Sequence, residues 1–124
     1  MTINTHSSTT TPHSLSTSLS KTPEDTKYII FYASINPSTG KSWCGDCRDA
    51  EPLIERRFAE EGRDVEVVFV GVKTVWRDPE NVWKKKPFAV EKLPTLLKIT
   101  GDKWDKLVEA DVYDQAKLDA FLKD

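Results

Sequence analysis

The sequence predicts an α/β fold in which a mixed central sheet is flanked by helices, and three observations predict it. Tyr28 to Ala33 and Val65 to Val72 are near-continuous β-branched and aromatic runs, the pattern of strands buried on both faces of a sheet. Between them Cys47, Ala50, Leu53, Ile54 and Phe58 recur at helical spacing, so strand, helix and strand form a right-handed βαβ unit with parallel strands. Leu96 to Ile99, a turn at Thr100-Gly101-Asp102 and Trp104 to Val108 then read as an antiparallel hairpin, which makes the sheet mixed. At 124 residues the chain can bury one core without metals or multiple disulfides.

Taken in order, residues 1–24 are rich in Ser and Thr, with Pro12 and Pro23 as breakers, and admit two readings. By composition they are a disordered tail. By pattern, Thr2 to Thr5 form a short edge strand, and Leu15 and Leu19 share one face of a weak helix. The folded domain then spans 25–124. Its first strand leads into a polar loop, Asn36-Pro37-Ser38-Thr39-Gly40, whose residues favour turns. Gly62 stops the helix that follows. After the second strand, Asp78 as N-cap with Pro79 at the first helical position predicts a short helix carrying Val82 and Trp83, with Phe88 just beyond. The last helix is expected to be capped by Asp111 and to turn Leu118, Phe121 and Leu122 inward. The order is therefore (βα)βαβαββα.

With 18 basic and 20 acidic residues the chain has a formal net charge of -2, so no global field draws nucleic acid or an anionic membrane. No apolar run approaches the roughly 20 residues of a membrane span. A soluble, cytoplasmic monomer is expected. Residues 2–22 lack acids and carry Lys21 as their one base, which leaves a mitochondrial address as the lesser alternative.

Both cysteines lie in Trp43-Cys44-Gly45-Asp46-Cys47, where a strand's loop becomes a helix. A lone CxxC in such a chain favours catalysis over stapling. The unpaired N–H groups of a helix N-terminus hold a thiolate, bringing a cysteine into a range of roughly 3.5 to 7.5 from about 8.5. Cys44, nearer the loop, is the expected nucleophile, and Cys47, inside the first turn, the resolving cysteine. Gly45 and Asp46 sit where they tune the pair. A carboxylate at Asp46 suits the helix dipole but opposes a thiolate, so its net effect on Cys44 has no sign from sequence. Capping the helix is its plainest role, and relaying a proton to or from Cys47 is the other. A zinc site would have to draw its other ligands from His6 and His13 in the N-terminal segment, which lie at no recognised spacing, and an inert disulfide or free thiols are the remaining bland reading. No metal is expected. Trp43 beside Cys44 is a candidate substrate contact, whereas Trp76, Trp83 and Trp104 read as packing and Lys84-Lys85-Lys86 as a solvated face. Gly40-Lys41-Ser42 lacks the upstream glycine of a phosphate loop.

From about Lys27 onward these residues resemble the thioredoxin superfamily. Trp43 precedes the first cysteine as in thioredoxins, and Pro52 matches the proline that kinks their active-site helix. Leu93-Pro94-Thr95 matches their cis-proline segment, which faces the CxxC and pairs with a bound peptide. Within the superfamily the chain most resembles the family of thioredoxin-related proteins of about 14 kDa, the thioredoxin domain-containing protein 17 family. The shared pattern comprises Trp43 to Cys47, Ala50-Glu51-Pro52, the series Gly71, Lys73, Trp76, Arg77, Asp78, Pro79 and Asn81, and Pro94 to Lys98. The loop from Ile35 to Ser42 matches that family's longer approach to the motif. The resemblance implies a thioredoxin-like fold and a protein-disulfide reductase with no bound cofactor. It further implies a redox-active Cys44-Cys47 disulfide, recharged from NADPH through thioredoxin reductase, and small disulfides or selected protein disulfides as substrates. It also implies Leu93, cis-Pro94 and Thr95 as substrate-binding residues. Gly45 departs from that family's usual proline, and Tyr28 to Ala33 lack the buried acid of thioredoxin's central strand, which makes Asp46 the candidate substitute. A glutathione-coupled, glutaredoxin-like enzyme would want a Gly-Gly pair where Val108-Glu109-Ala110 stands. A binding module without turnover would have no need of both cysteines.

Overall fold

In chain order the elements are β1 (Ile3–Thr5), α1 (Pro12–Leu19), β2 (Lys27–Tyr32), β3 (Ile35–Asn36), β4 (Lys41–Ser42), α2 (Gly45–Glu61), β5 (Val65–Phe69), α3 (Lys73–Arg77), β6 (Thr95–Thr100), β7 (Lys103–Val108) and α4 (Gln115–Phe121). Short 3-10 turns lie at Val82–Lys84 and Glu109–Tyr113. This computed structural model describes residues 3–5, 10–21, 25–101 and 103–123.

Five strands form one mixed sheet in the order β1-β5-β2-β6-β7. β2 is central because its Lys27–Tyr32 run can be buried on both sides: Ile29, Ile30 and Phe31 are wholly buried. It runs parallel to β5, with Ile30 beside Val67, and antiparallel to β6, with Ile30 beside Leu96. Alternation along the strand sends Tyr28 to one face and Phe31 to the other. Tyr28 meets Phe58 of α2 edge-on at 5.2 Å and Phe121 of α4 at 6.4 Å. Phe31 packs against Trp83 at 5.6 Å and Phe88 at 5.7 Å. The crossover helix α2 buries Cys47, Ala50, Ile54 and Phe58 and ends at Gly62, whose φ of 64° is the left-handed conformation a glycine cap supplies. Among the described residues no helix is long and apolar enough to cross a membrane.

In the N-terminal segment, Ile3–Thr5 pairs parallel with β5, and α1 starts with a capping box between Thr11 and Ser14. Its Leu15 is buried in the same core as β2, so α1 belongs to the same body as the sheet.

Several local expectations are corrected. The predicted polar loop is the tip of a two-stranded hairpin, β3 with β4, in which Asn36 Oδ1 accepts from Ser38 N at 2.8 Å and Gly40 turns at φ 70°. The second strand stops at Phe69, because Gly71 at φ 129° turns the chain away before Val72. Asp78 is not an N-cap. It follows a helix the sequence did not announce, α3, and its side chain accepts from Glu80 N at 2.9 Å in a local turn. Asn81 caps the Val82–Lys84 turn instead, accepting from Trp83 N at 3.0 Å while donating to the carbonyls of Val70 and Val75. Asp111 does not cap the last helix either. The Glu109–Tyr113 turn intervenes, Asp114 accepts from Lys117 N at 3.1 Å, and Asp111 pairs with Lys117 Nζ at 2.7 Å. Trp76 and Trp83 are core residues, Trp104 is exposed on the edge strand against Phe88, and Lys84 lies over the Trp76 ring at 4.7 Å.

Candidate active site

The site forms where β2 ends, the β3-β4 hairpin returns and α2 begins. Cys44 has extended backbone (φ -95°, ψ 116°) and is itself the N-cap of α2, its Sγ accepting from Cys47 N at 3.2 Å. A thiol thus fills the place that Ser, Thr, Asp or Asn usually takes. Cys44 is half-buried, Cys47 is buried, and both are free thiols. One helical turn in, Cys47 points back to the sheet, where Ala33 N donates to its Sγ at 3.5 Å.

Across from Cys44, the Leu93-Pro94 bond is cis, as expected, and the Leu93 carbonyl accepts from the Cys44 thiol at 3.8 Å. Leu93, Pro94 and Thr95 are all buried; Thr95 Oγ1 donates to the Lys92 carbonyl, and the Pro94 carbonyl accepts from Glu109 N at 2.8 Å. Their side chains are packed into the protein, and it is the Leu93 backbone that reaches Cys44.

Trp43 is half-buried beside Cys44, with its indole Nε1 donating to the Gly71 carbonyl at 3.2 Å. Its polar edge is held by the protein. Gly45 is exposed and has no left-handed backbone; a Cβ there would meet Arg48 Nη2 at an ordinary 3.6 Å, so the fold does not demand glycine. Asp46 lies in the first turn of α2, but the cap is Cys44, which corrects the capping role expected for Asp46. Its Oδ1 instead accepts from the Tyr113 hydroxyl at 2.8 Å.

Sequence reasoning missed three supporting residues. Buried Ser42 donates from Oγ to the Ala33 carbonyl at 3.1 Å and accepts from Cys44 N at 3.3 Å, tying the start of the cysteine motif to the chain that leaves β2. Arg48 Nη1 donates to the Ser42 carbonyl at 2.6 Å. Tyr113 comes from the far end of the chain, and no local pattern links it to Asp46.

The two thiols are electrostatically unequal. The Cys47 side chain, donating a hydrogen bond, brings Cys44 from the ordinary 9.0 down to about 7, with help from the Cys47 backbone N–H and against burial and the Asp46 charge. Cys47 is pushed upward, first by the hydrogen bond it gives to Cys44 and then by burial. Near neutral pH the arrangement presents one ionisable, accessible sulfur and one protonated, sheltered one. Among the described residues no group of three His, Cys, Asp or Glu side chains gathers into a metal site; His13 is exposed on α1, and His6 lies outside the described residues.

The structure is similar to those of solved thioredoxins. One is a thioredoxin precursor of Schistosoma mansoni (TM-score 0.64, 16% identity, covering 98% of this chain and 96% of that one). Another is the thioredoxin of Fasciola hepatica (TM-score 0.60, 20% identity, 99% and 100%). Identity this low speaks to the fold alone. Among sequences, a thioredoxin-like protein Clot of Arabidopsis thaliana is 36% identical over 78 residues, which are 60% of this chain and 58% of that protein, so the match spans less than two thirds of its length. A thioredoxin domain-containing protein of Schizosaccharomyces pombe is 33% identical over 104 residues (79% and 83%), and thioredoxin domain-containing protein 17 of Mus musculus is 33% identical over 93 (73% of each). The model of the thioredoxin domain-containing protein 17-like thioredoxin domain matches residues 9–124. With the α/β sheet, the dithiol at the start of α2 and the cis-proline opposite, the chain belongs to the thioredoxin domain-containing protein 17-like family of the thioredoxin superfamily.

Proposed function

We propose that the chain is a thiol-disulfide oxidoreductase working as a protein-disulfide reductase. One observation carries this reading: Cys44, partly accessible and held near neutral pKa at the start of α2, has its resolving partner one turn inside the same helix. The Cys44 thiolate attacks one sulfur of a substrate disulfide; that S–S bond breaks, and the departing thiolate takes a proton from solvent. Cys47 then gives up its proton and attacks Cys44 Sγ, releasing the second substrate thiol and leaving a Cys44-Cys47 disulfide. The substrate gains two electrons and the dithiol loses them. Trp43 and the Leu93-Pro94-Thr95 segment flank the attacking sulfur, and the Leu93 carbonyl, now accepting from the Cys44 thiol, is the acceptor a bound chain's N–H would take over. Thioredoxin reductase with NADPH returns the electrons, small disulfides or selected protein disulfides are the substrates, and the protein acts as a cytoplasmic monomer.

A glutaredoxin-like reading has less support at Glu109, which follows β7 where that class would carry glycine. The backbone takes a glycine-like φ of 53°, but the carboxylate pairs with Lys92 at 3.2 Å beside the cis-proline and would oppose the carboxylates of glutathione.

Free thiols counted on the oxidised protein before and after NADPH and thioredoxin reductase test the proposal. Two thiols should appear only with the reductase, and their failure to appear sinks the reading. Cys47→Ser should then accumulate a mixed disulfide through Cys44 that identifies substrates.

A further inference from the structure

Tyr113 closes the Glu109–Tyr113 turn, 67 positions from Asp46, yet donates from its hydroxyl to Asp46 Oδ1 at 2.8 Å. Fully buried Val112 next to it anchors the turn in the core, so the phenol is presented from a fixed base. Asp46 needs such a partner. A carboxylate in the first turn of α2 is favoured by the helix N-terminus, but it opposes negative charge on Cys44, two residues away.

The charged groups on the surrounding elements are otherwise engaged or of the wrong sign. On the turn, Glu109 pairs with Lys92 of the cis-proline loop at 3.2 Å, and Asp111 pairs with Lys117 of α4 at 2.7 Å. On α2, Arg48 reaches the Ser42 carbonyl, Asp49 adds a second negative charge near the phenol, and Cys47 is turned toward Ala33 and Cys44. The Tyr113 hydroxyl is thus the group that meets the Asp46 carboxylate with positive polarity.

We propose that Tyr113 is a positioning residue for the dithiol: its hydroxyl pins the Asp46 carboxylate to the Glu109–Tyr113 side of α2 and tempers its charge, so that Cys44 ionises despite the neighbouring acid. The inference rests on Cys44 being the reactive thiol.

The test follows the pH dependence of Cys44 alkylation by iodoacetamide in the fully reduced, full-length chain, with thiolate absorbance as a second readout. Tyr113→Phe removes one oxygen from a half-buried ring and keeps its packing. It should raise the Cys44 midpoint by roughly 0.3 to 0.6 of a pH unit, lowering the alkylation rate below the midpoint by about two- to fourfold. Asp46→Asn should lower the midpoint, and adding Tyr113→Phe to Asp46→Asn should change nothing further. An unmoved or lowered midpoint in Tyr113→Phe overturns the inference, as does an equal rise in the Asp46→Asn background, which would make the effect one of packing. The readout uses no reductase and no disulfide substrate, so failure of the reductase reading would leave this measurement standing.

Discussion

Gly71→Ala should destabilise the fold and loosen the tryptophan beside Cys44 in one step. Gly71 holds φ at 129°, a conformation L side chains rarely adopt, and forcing alanine into it costs about 1–3 kcal/mol. A Cβ there would also lie 2.6 Å from Val75 Cγ1 and 2.9 Å from Val75 Cβ, inside van der Waals contact. Val75 is half-exposed, so it has room to move, but a β-branched side chain on a helix is stiff at χ1 and its displacement adds about 0.5–1.5 kcal/mol. Together the loss is roughly 1.5–4.5 kcal/mol. The same residue accepts from Ser34 N at 3.0 Å and from Trp43 Nε1 at 3.2 Å, and its N–H donates to Ser34 Oγ at 2.9 Å, so a shift there strains the Trp43 anchor. Urea unfolding of Gly71→Ala, Val75→Ala and the double variant separates the two contributions. Val75→Ala removes Cγ1 and leaves Cβ, so the double variant should recover part of the loss. Full recovery would refute the backbone argument, and a Gly71→Ala loss below about 0.5 kcal/mol would refute both.

For the reduced protein, Cys44 ionises more readily folded than at its ordinary 9.0, so between about 7 and 9 the unfolded chain binds more protons and stability from this group rises with pH. That contribution is lost as pH falls through about 7, while Cys47, displaced upward, contributes below 9 and loses its share as pH rises beyond it. Unfolding free energies measured from acid to alkaline pH should therefore rise across that window and turn down above it; a steady fall across the window contradicts the assigned directions. At the last helix, Asp114→Ala should cost about 0.5–2 kcal/mol as a lost N-cap, and Asp111→Ala no more than about 1 kcal/mol as a lost surface pair. The reverse order in thermal or urea unfolding would restore Asp111 as the cap.

What was legible in the sequence was whatever repeats. α2 carries a buried stripe over about three turns and a terminal glycine, β2 and β5 are dense apolar runs, and the hairpin has its turn at Gly101. Elements too short to repeat left no such trace: α3 is five residues long with one buried side chain, Trp76, and β3 and β4 have two residues each. Asp78 and Asp111 illustrate a second limit. Both are good caps by residue type, but capping is decided by backbone conformation: Asp78 ends α3 and Asp111 lies inside the Glu109–Tyr113 turn, so the next helical segments are capped by Asn81 and Asp114. In the site, the cysteines and the cis-proline were legible through spacing and resemblance. The Tyr113–Asp46 and Trp43–Gly71 bonds join residues 67 and 28 positions apart, which no local pattern can announce.

The choice of Cys44 as the cap of α2 links folding to redox chemistry. A cap accepts hydrogen bonds from the helix's free N–H groups, and a thiolate accepts more strongly than a thiol. Ionising Cys44 therefore improves the start of the helix, and joining it to Cys47 in a disulfide removes that charge from the cap. Every interaction that holds the thiolate, from the Cys47 N–H at 3.2 Å to the tempering of Asp46 by Tyr113, favours the reduced form over the disulfide. The same interactions make Cys44 the better leaving group when its disulfide is attacked. The proton held on Cys47 acts in the same direction, toward the reduced form, since that sulfur must lose it before the disulfide can close. One helix terminus and one buried thiol thus both bear on how readily the pair oxidises, and Asp46, whose charge opposes ionisation of either sulfur, is the residue placed to shift them together.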